Sequence, residues 1–598
     1  MSLGGTAASQ LGGDQNPVLA ALRECRTAII ALVLFSGIIN ILMLTGSFYM
    51  LQVYDRVLLS YSVPTLVMLS IIALFAYLFM GFLDVIRTRI FGRIAEKIDL
   101  TVGPQLYHRV VRQHASRPGA LGEQMQPFRD LDAVRGFLSG TGPVAVFDMP
   151  WLPIYLIICF FLHPLIGVFA TLSAALLVAV AVSGEYRTRR PTQQSFEMAS
   201  QRNMLAAGSI NGSEAVVSMG MLGAMQERWR TFNLRNSELA LRANDVASGV
   251  ASMSRTLRMV IQSATLGLGA YLAVKGEMTA GTIIAASIIS ARAIAPIDLA
   301  VASYKAYQQA RDGYRRLLVL FRSGSEGAAR LRLPAPRRSL QVENLVVAAP
   351  STGNVILKGV TFNLLAGEGL GIIGQSASGK STLARAIVGL WTPMRGLVAL
   401  DGAPLTHWDQ EWLGRHVGYL PHDIQLFDGT VAQNISRFDA EASAEKIFAA
   451  VNAAGCLELI QQLPDGFNTR IGTGGTHLSA GQRQRLGLAR ALYNDPFVIV
   501  LDEPNANLDS QGEAAVTAAI MGARKRGAIV IVIAHRPSAV QSVDKLLVLR
   551  NGFVSAYGDK ASVLKEAVSN AAKVGGALPP GRPAEANAQD APSPPQGG

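Results

Sequence analysis

The sequence predicts two domains of different class: an α-helical membrane domain with six spans, then an α/β domain built on a phosphate-binding loop. Three observations carry this. Half of the 598 residues are hydrophobic and 16% are charged, against about 25% charged in a soluble domain. Long charge-free stretches fill the first half of the chain, with arginine clusters after every second one. In the second half, a strand-like run enters a glycine-rich loop ending in Gly379-Lys380-Ser381.

Residues 1–20 are rich in Gly, Ala and Ser and read as a disordered lead-in. The transmembrane domain is placed at 21–325. No charge intervenes between Arg26 and Asp55. That is too long for a signal-peptide core, so it reads as a retained span. A second charge-free stretch, Arg56 to Asp84, completes a hairpin turned at Asp55-Arg56. Met149 to Gly184 exceeds one helix of about 20 residues. His163-Pro164 splits it into spans near Pro143–Leu162 and Leu165–Ser183. Met259–Val274 and Met278–Ala291 form a weaker last pair, turned at Lys275–Glu277. Without that pair the count is four. Asp148 reads equally as an interface group or as an acid at the membrane–water boundary; Arg292 and Asp298 read as helix-packing or cavity partners.

Arg87, Arg89, Arg93 and Lys97 follow the second span; Arg187, Arg189 and Arg190 follow the fourth; Lys305, Arg311, Arg315 and Arg316 follow the sixth. This bias puts both termini in the cytoplasm. Residues 87–142 and 185–250 are too charged for lipid and read as long cytoplasmic extensions of the membrane helices. The formal net charge of +12 lies beside the apolar stretches rather than in one patch, which argues against nucleic acid. Cys25, Cys159 and Cys456 are too few and too scattered for a disulfide framework. Residues 326–338 are a linker, and from 339 to 565 short β-rich runs alternate with helical stretches, the pattern of an α/β domain. Residues 566–598 are largely a disordered tail rich in Pro, Gly and Ala.

The run Gly369–Ile373 leads into Gly374-Gln375-Ser376-Ala377-Ser378-Gly379-Lys380-Ser381-Thr382, which fits G-x-x-x-x-G-K-[ST] between a strand and a helix. Such a loop turns backbone N–H groups toward phosphate oxygens at the positive end of a helix. Lys380 is placed to reach the β- and γ-phosphates, and the Ser381 hydroxyl to bind Mg²⁺. Phe497–Leu501 is an apolar run ending in Asp502-Glu503. Asp502 suits the same Mg²⁺, and Glu503 suits polarisation of an attacking water.

Leu478-Ser479-Ala480-Gly481-Gln482 closely resembles the LSGGQ signature of ATP-binding cassette proteins. The resemblance runs through Arg483-Gln484-Arg485, a D-loop-like Ala506-Asn507-Leu508-Asp509, and His535 at the switch-histidine position. It implies an ATPase in which Ser479, Gly481 and Gln482 of one subunit cap ATP held by the other. A homodimer is then the simplest assembly, since each chain carries one cassette. Three departures stand out. His422 occupies the place of the Q-loop glutamine that contacts Mg²⁺ and the attacking water; it is either a pH-sensitive substitute or a tolerated replacement beside Gln425. The adenine-stacking aromatic is missing from Leu345–Pro350. Thr473 stands where exporters often carry a glutamate.

Leu51–Leu58 at the first turn, Phe147–Ile154, and His163-Pro164-Leu165-Ile166-Gly167 resemble type I secretion ATPases, most of all the branch exporting proteases and RTX-type proteins with uncleaved C-terminal signals. That resemblance implies an ABC exporter in a bacterial inner membrane. Its implied partners are membrane lipid, a secreted protein substrate, a periplasmic membrane-fusion adaptor and an outer-membrane channel. A first span starting near residue 27 leaves no room for a leader-peptidase domain, so no processing of the substrate is expected. The competing readings are an exporter of lipids or drug-like molecules and a weakly hydrolytic, ATP-gated subunit of a heterodimer.

Overall fold

The computed structural model describes residues 17–116, 125–322, 331–350, 352–475, 477–534 and 540–565. The chain divides into two compact units, Met1–Glu326 and Gly327–Gly598.

The first unit is helical: α1 Pro17–Glu24, α2 Arg26–Leu42, α3 Thr45–Gln52, α4 Val63–Ser116, α5 Gln126–Ser139, α6 Gly142–Asp148, α7 Leu152–Leu162, α8 Pro164–Asn211, α9 Leu222–Val274 and α10 Ala280–Arg322, with a short helix Ser213–Ser218 between α8 and α9. Six helical stretches are long and apolar enough to cross a membrane, which settles the count in favour of six. Helix α4 has 54 residues, about 80 Å at 1.5 Å per residue. The hydrocarbon core of a bilayer is about 30 Å, so most of α4 lies outside it. The same holds for α8, α9 and α10, the long extensions expected from their charge.

The first hairpin does not turn at Asp55-Arg56. Those residues lie in a π-helical stretch, Val53–Val57, and the first span continues to Ser60. The turn comes at Tyr61, whose φ of 51° is left-handed. Asp55 marks no water boundary because its carboxylate has partners of its own. Its Oδ2 accepts from the Thr279 hydroxyl at 2.7 Å, and its Oδ1 accepts the Gly281 N–H at 2.9 Å. It therefore sits at the positive N-terminal end of α10. A Cβ on Gly281 would lie 2.7 Å from that carboxylate, so the contact requires glycine.

The lead-in expected over residues 1–20 is helical from Pro17; residues 1–16 lie outside the described residues. Val18 and Ala21 are buried in a cluster with Phe91, Ile94 and Ile98. Their three-residue spacing gives this short helix one apolar face.

The third span is broken. Helix α6 ends at Asp148, a 3-10 turn covers Met149–Trp151, and α7 continues to Leu162. Pro150 and Pro153 lack the N–H groups an unbroken helix needs. At the break, Asp148 accepts from Arg87 Nη1 at 3.2 Å and from Asn40 Nδ2 at 2.9 Å. Arg87 also donates to Asp84, and the Tyr155 hydroxyl donates to the Asn40 carbonyl at 2.8 Å. Asp148 is thus an interface group joining the first three spans. Asp298 plays a similar part between α9 and α10, accepting from Arg258 at 2.6 Å and Ser254 at 3.1 Å.

The second unit contains β1 Ser339–Ala348, β2 Val355–Leu365, β3 Gly369–Gly374, α11 Lys380–Ile387, β4 Arg395–Leu400, β5 Ala403–Pro404, β6 Val417–Leu420, β7 Gly429–Thr430, β8 Arg470–Ile471, α12 Ala480–Leu492, β9 Val498–Asp502, α13 Ser510–Lys525, β10 Ile529–Ile533, β11 Lys545–Arg550 and β12 Phe553–Asp559, with further helices between them. The main sheet has the order β12-β11-β3-β10-β9-β6. It is parallel except for the edge strand β12. An antiparallel sheet, β2-β1-β4-β5, and a small pair, β7-β8, complete it. Every residue of β9 and β10 is buried, as their unbroken apolar runs require of central parallel strands. Ile533 of β10 is in register with Ile372 of β3 and Asp502 of β9. The carboxyl ends of the three strands therefore open on one edge, where ligands of such sheets bind.

Candidate active site

Strand β3 delivers the glycine-rich loop at that edge. Gln375, Ser376 and Ala377 are exposed, while Ser378, Gly379 and Lys380 are buried. Gly379 has φ of +103°, and a Cβ there would come within 2.8 Å of Leu357. Ala377 is left-handed at φ 64°, a conformation that costs an L-residue about 1 kcal/mol. Lys380 opens α11 and folds back over the loop, its Nζ donating to the carbonyls of Gly374 at 3.0 Å and Gln375 at 2.9 Å. Burial lowers its ammonium pKa, opposed by the charges of Glu503 and Asp502. Among the described residues, the cation is thus held over the loop with no carboxylate bonded to it.

Asp502 ends β9, 3% exposed, and is hydrogen-bonded to Ser381. Burial raises its pKa; the Ser381 hydrogen bond and the charges of His422 and Arg385 act against the rise. Its Oδ1 is buried without a hydrogen-bond partner, as is the Ser378 hydroxyl. A carboxylate with one orphaned oxygen beside the Ser381 hydroxyl offers the hard oxygen donors that Mg²⁺ prefers, so the residues fit that ion.

Glu503 follows with φ 53°, its N–H bonded to the Ile533 carbonyl at 3.0 Å. The left-handed turn carries its carboxylate out of the strand, with 28% of the side chain exposed. His422 Nε2 lies 3.7 Å from Glu503 Oε2, and His422 Nδ1 lies 3.3 Å from Asp423 Oδ1. The imidazole thus stands between two carboxylates.

Ser479 caps α12. Its hydroxyl accepts the Gln482 N–H at 3.2 Å, and the Gln482 side chain accepts the Ser479 N–H at 2.9 Å. Gly481 passes close to Asn507, whose carbonyl would be 2.8 Å from a Cβ. Asp509 caps α13 by accepting the Gly512 N–H at 2.8 Å and also pairs with Arg485 at 2.7 Å. The Gly512 N–H, then Arg485, hold the Asp509 carboxyl below its ordinary pKa. The structure brings Lys380, Ser381, Asp502, Glu503 and His422 together. Among the described residues, Ser479 and Gln482 bond to each other and to no residue of the glycine-rich loop. His535 lies outside the described residues.

Sequence reasoning gave no role to two residues of α12. Gln484 is buried and donates to the carbonyls of Glu503 and Pro504, while accepting from Asn507 at 3.2 Å. Arg490 donates to the Gln425 carbonyl at 2.9 Å and lies over the Phe427 ring. Gln484 left a trace: it falls on the same helix face as Leu488 and Ala491, and a polar residue in that stripe needs a partner.

The profile of the ABC transporter transmembrane region matches residues 28–296, and the ABC transporter profile matches residues 357–506. The type I secretion system ATP-binding protein PrsD of Rhizobium meliloti (strain 1021) is 46% identical over 557 residues, 93% of this chain and 95% of its own. The toxin RTX-I translocation ATP-binding protein of Actinobacillus pleuropneumoniae is 27% identical over 551 residues, 92% and 78% of the two chains. A solved bacterial Atm1-family ABC exporter with ATP bound superposes with a TM-score of 0.78 at 20% identity, covering 93% of this chain and 99% of that one. At that identity the likeness is one of fold.

Proposed function

The chain belongs to the ABC transporter family, among its type I secretion ATP-binding exporters, and from that premise we propose that it is the inner-membrane motor that exports an unfolded protein with an uncleaved C-terminal signal. ATP hydrolysis in the second unit drives transport through the six spans of the first. The observation that carries this reading is the convergence of Lys380, Ser381, Asp502 and Glu503 on one sheet edge.

In this reading the backbone of Gly374–Gly379, with Ser381 and Thr382 behind it, cradles the triphosphate. Lys380 exchanges its two carbonyl partners for β- and γ-phosphate oxygens. Ser381 and Asp502 would hold Mg²⁺, which when bound would neutralise charge on the phosphate. Glu503 takes a proton from the attacking water as its oxygen bonds to the γ-phosphorus and the bond to ADP breaks. His422 lies 3.7 Å from that carboxylate, and His535 stands in the sequence at the switch-histidine position. Asp509 keeps the chain after Glu503 in place through its cap on α13.

We further propose that two copies of the chain close head to tail, with Ser479, Gly481 and Gln482 of each completing the site of the other. Ser479 is exposed and its polar atoms are spent within its own cap, which leaves the positive end of α12 open to a phosphate from outside the chain. A periplasmic adaptor and an outer-membrane channel carry the substrate onward, and the ATPase units face the cytoplasm. The test mixes Lys380→Ala chains with Ser479→Arg chains. Each parent homodimer should be inactive, and the mixture should regain activity through one intact site per mixed dimer. A Lys380→Ala homodimer hydrolysing at the wild-type rate would exclude the arrangement.

A further inference from the structure

Two segments that lie far apart in the chain, the stretch around Asp55 and the one around His163, meet at a single turn. It is the turn between α9 and α10, residues 275–279. On one side, Glu277 Oε2 lies 3.1 Å from His163 Nε2. His163 Nδ1 accepts the Leu165 N–H at 3.2 Å, so in the neutral ring Nε2 carries the proton and donates to Glu277. On the other side, Asp55 accepts from Thr279 and Gly281.

The two contacts differ in what lies behind them. Spans three to six share an apolar cluster through Cys159, Ile166, Leu272 and Ala286, so the His163–Glu277 pair joins helices that are already packed together. The first span has little such support near Asp55. Its segment Thr45–Gln52 buries only Ser47, and Leu44 reaches the cluster only at its margin. Among the described residues, Asp55 supplies the hydrogen bonds that join residues 45–60 to α10. Toward the charged extensions the first span is tied differently, through the buried network of Asn40, Arg87 and Asp148. About 22 Å of helix, at 1.5 Å per residue, separates Asn40 from Asp55.

The bonds of Asp55 are of a kind that can be exchanged. Thr279 is exposed, so water can take its place. Gly281 is the second residue of α10, where a backbone N–H has no partner within the helix. Asp55 itself sits in the π-helical stretch Val53–Val57, a distortion common at functional sites.

We propose that Asp55 is a releasable clasp. It holds the first span against α10 at the end away from the charged extensions, and it lets go in each turnover while the Asn40–Arg87–Asp148 network stays joined as the pivot. The inference rests on the protein-export reading above, which needs that end of the spans to open.

The experiment uses the full chain in nanodiscs. Because Asp55 is the acceptor for the Gly281 N–H, exchange of that amide with deuterium reads the clasp in the unmutated protein. Trapping with ATP and vanadate should speed its exchange about tenfold or more over the nucleotide-free protein. A second measurement locks the clasp. A Cβ on Gly281 would lie 2.7 Å from Asp55 Cγ, so Asp55→Cys/Gly281→Cys brings two sulfurs within bonding reach. Oxidation should lower steady-state ATP hydrolysis by this variant about tenfold, as a blocked opening step would, and dithiothreitol should restore it. Wild-type protein given the same oxidant should keep its rate. Equal exchange at Gly281 in the two states, or a disulfide-locked protein that hydrolyses ATP as fast as after reduction, would overturn the proposal. Hydrolysis by the wild-type sample separates the failures: hydrolysis with unaltered exchange removes the clasp alone, whereas no hydrolysis removes the export reading.

Discussion

Gln484 Nε2 donates to the backbone carbonyl of Glu503 at 3.0 Å and to that of Pro504 at 2.6 Å. The helix that begins at the signature thereby holds the peptide carrying the proposed water-polarising carboxylate. Gln484→Leu keeps the volume and removes the donor, leaving the Pro504 carbonyl unsatisfied and the Glu503 carbonyl with only the Ala506 N–H, at a cost of about 1–3 kcal/mol. The expected result is a kcat about tenfold lower with KM for ATP little changed, since displacement of a catalytic group costs turnover. Steady-state ATPase kinetics check it. A higher KM with normal kcat would place Gln484 in nucleotide binding instead.

Asp502 works against the stability of the nucleotide-free protein. Burial raises its folded-state pKa, so the folded chain binds the proton more tightly than the unfolded chain does. The resulting stabilisation is full below the unfolded value of about 3.9 and is lost as pH rises through the folded value. At neutral pH the buried charge is a net cost. Asp502→Asn should therefore raise the unfolding temperature of the nucleotide-free protein by about 1–3 °C, with a smaller gain in acid. It should also abolish the extra stabilisation from ATP with Mg²⁺. Thermal unfolding across pH, with and without the nucleotide, measures both. A lower unfolding temperature at neutral pH would contradict the sign.

His422 lies between Asp423 and Glu503. The imidazole, 3.7 Å from the Glu503 carboxylate, competes with water for it. His422→Gln should raise hydrolysis about two- to fivefold, within the range of proton-transfer effects. Steady-state rates of both forms decide the matter, and equal rates would leave His422 with no special role.

Local patterns made much of this legible. The glycine-rich loop, the buried run ending at Asp502-Glu503 and the alternation of charge-free stretches with arginine clusters are all contiguous in sequence. What escaped depends on distant partners. Asp55 reads as a water boundary until Thr279 and Gly281, more than 220 residues away, are seen to satisfy it. Asp148 reads two ways until its partners Asn40 and Arg87, on other helices, are placed beside it. The helix at Pro17–Glu24 exists because Phe91 and Ile98 cover its apolar face. Gln484 shows as a polar residue in an apolar stripe, but its carbonyl partners belong to a different element.

Glu503 bears the central claim. The glycine-rich loop and Lys380 are separate from it in the chain, so Glu503→Gln keeps them and removes only the proton acceptor. The direct measurement is single-turnover hydrolysis and retention of radiolabelled ATP by wild-type and Glu503→Gln protein in nanodiscs. Hydrolysis should fall by about a hundredfold or more, while the variant retains ATP uncleaved in a closed dimer. Hydrolysis by Glu503→Gln at the wild-type rate would contradict the assignment.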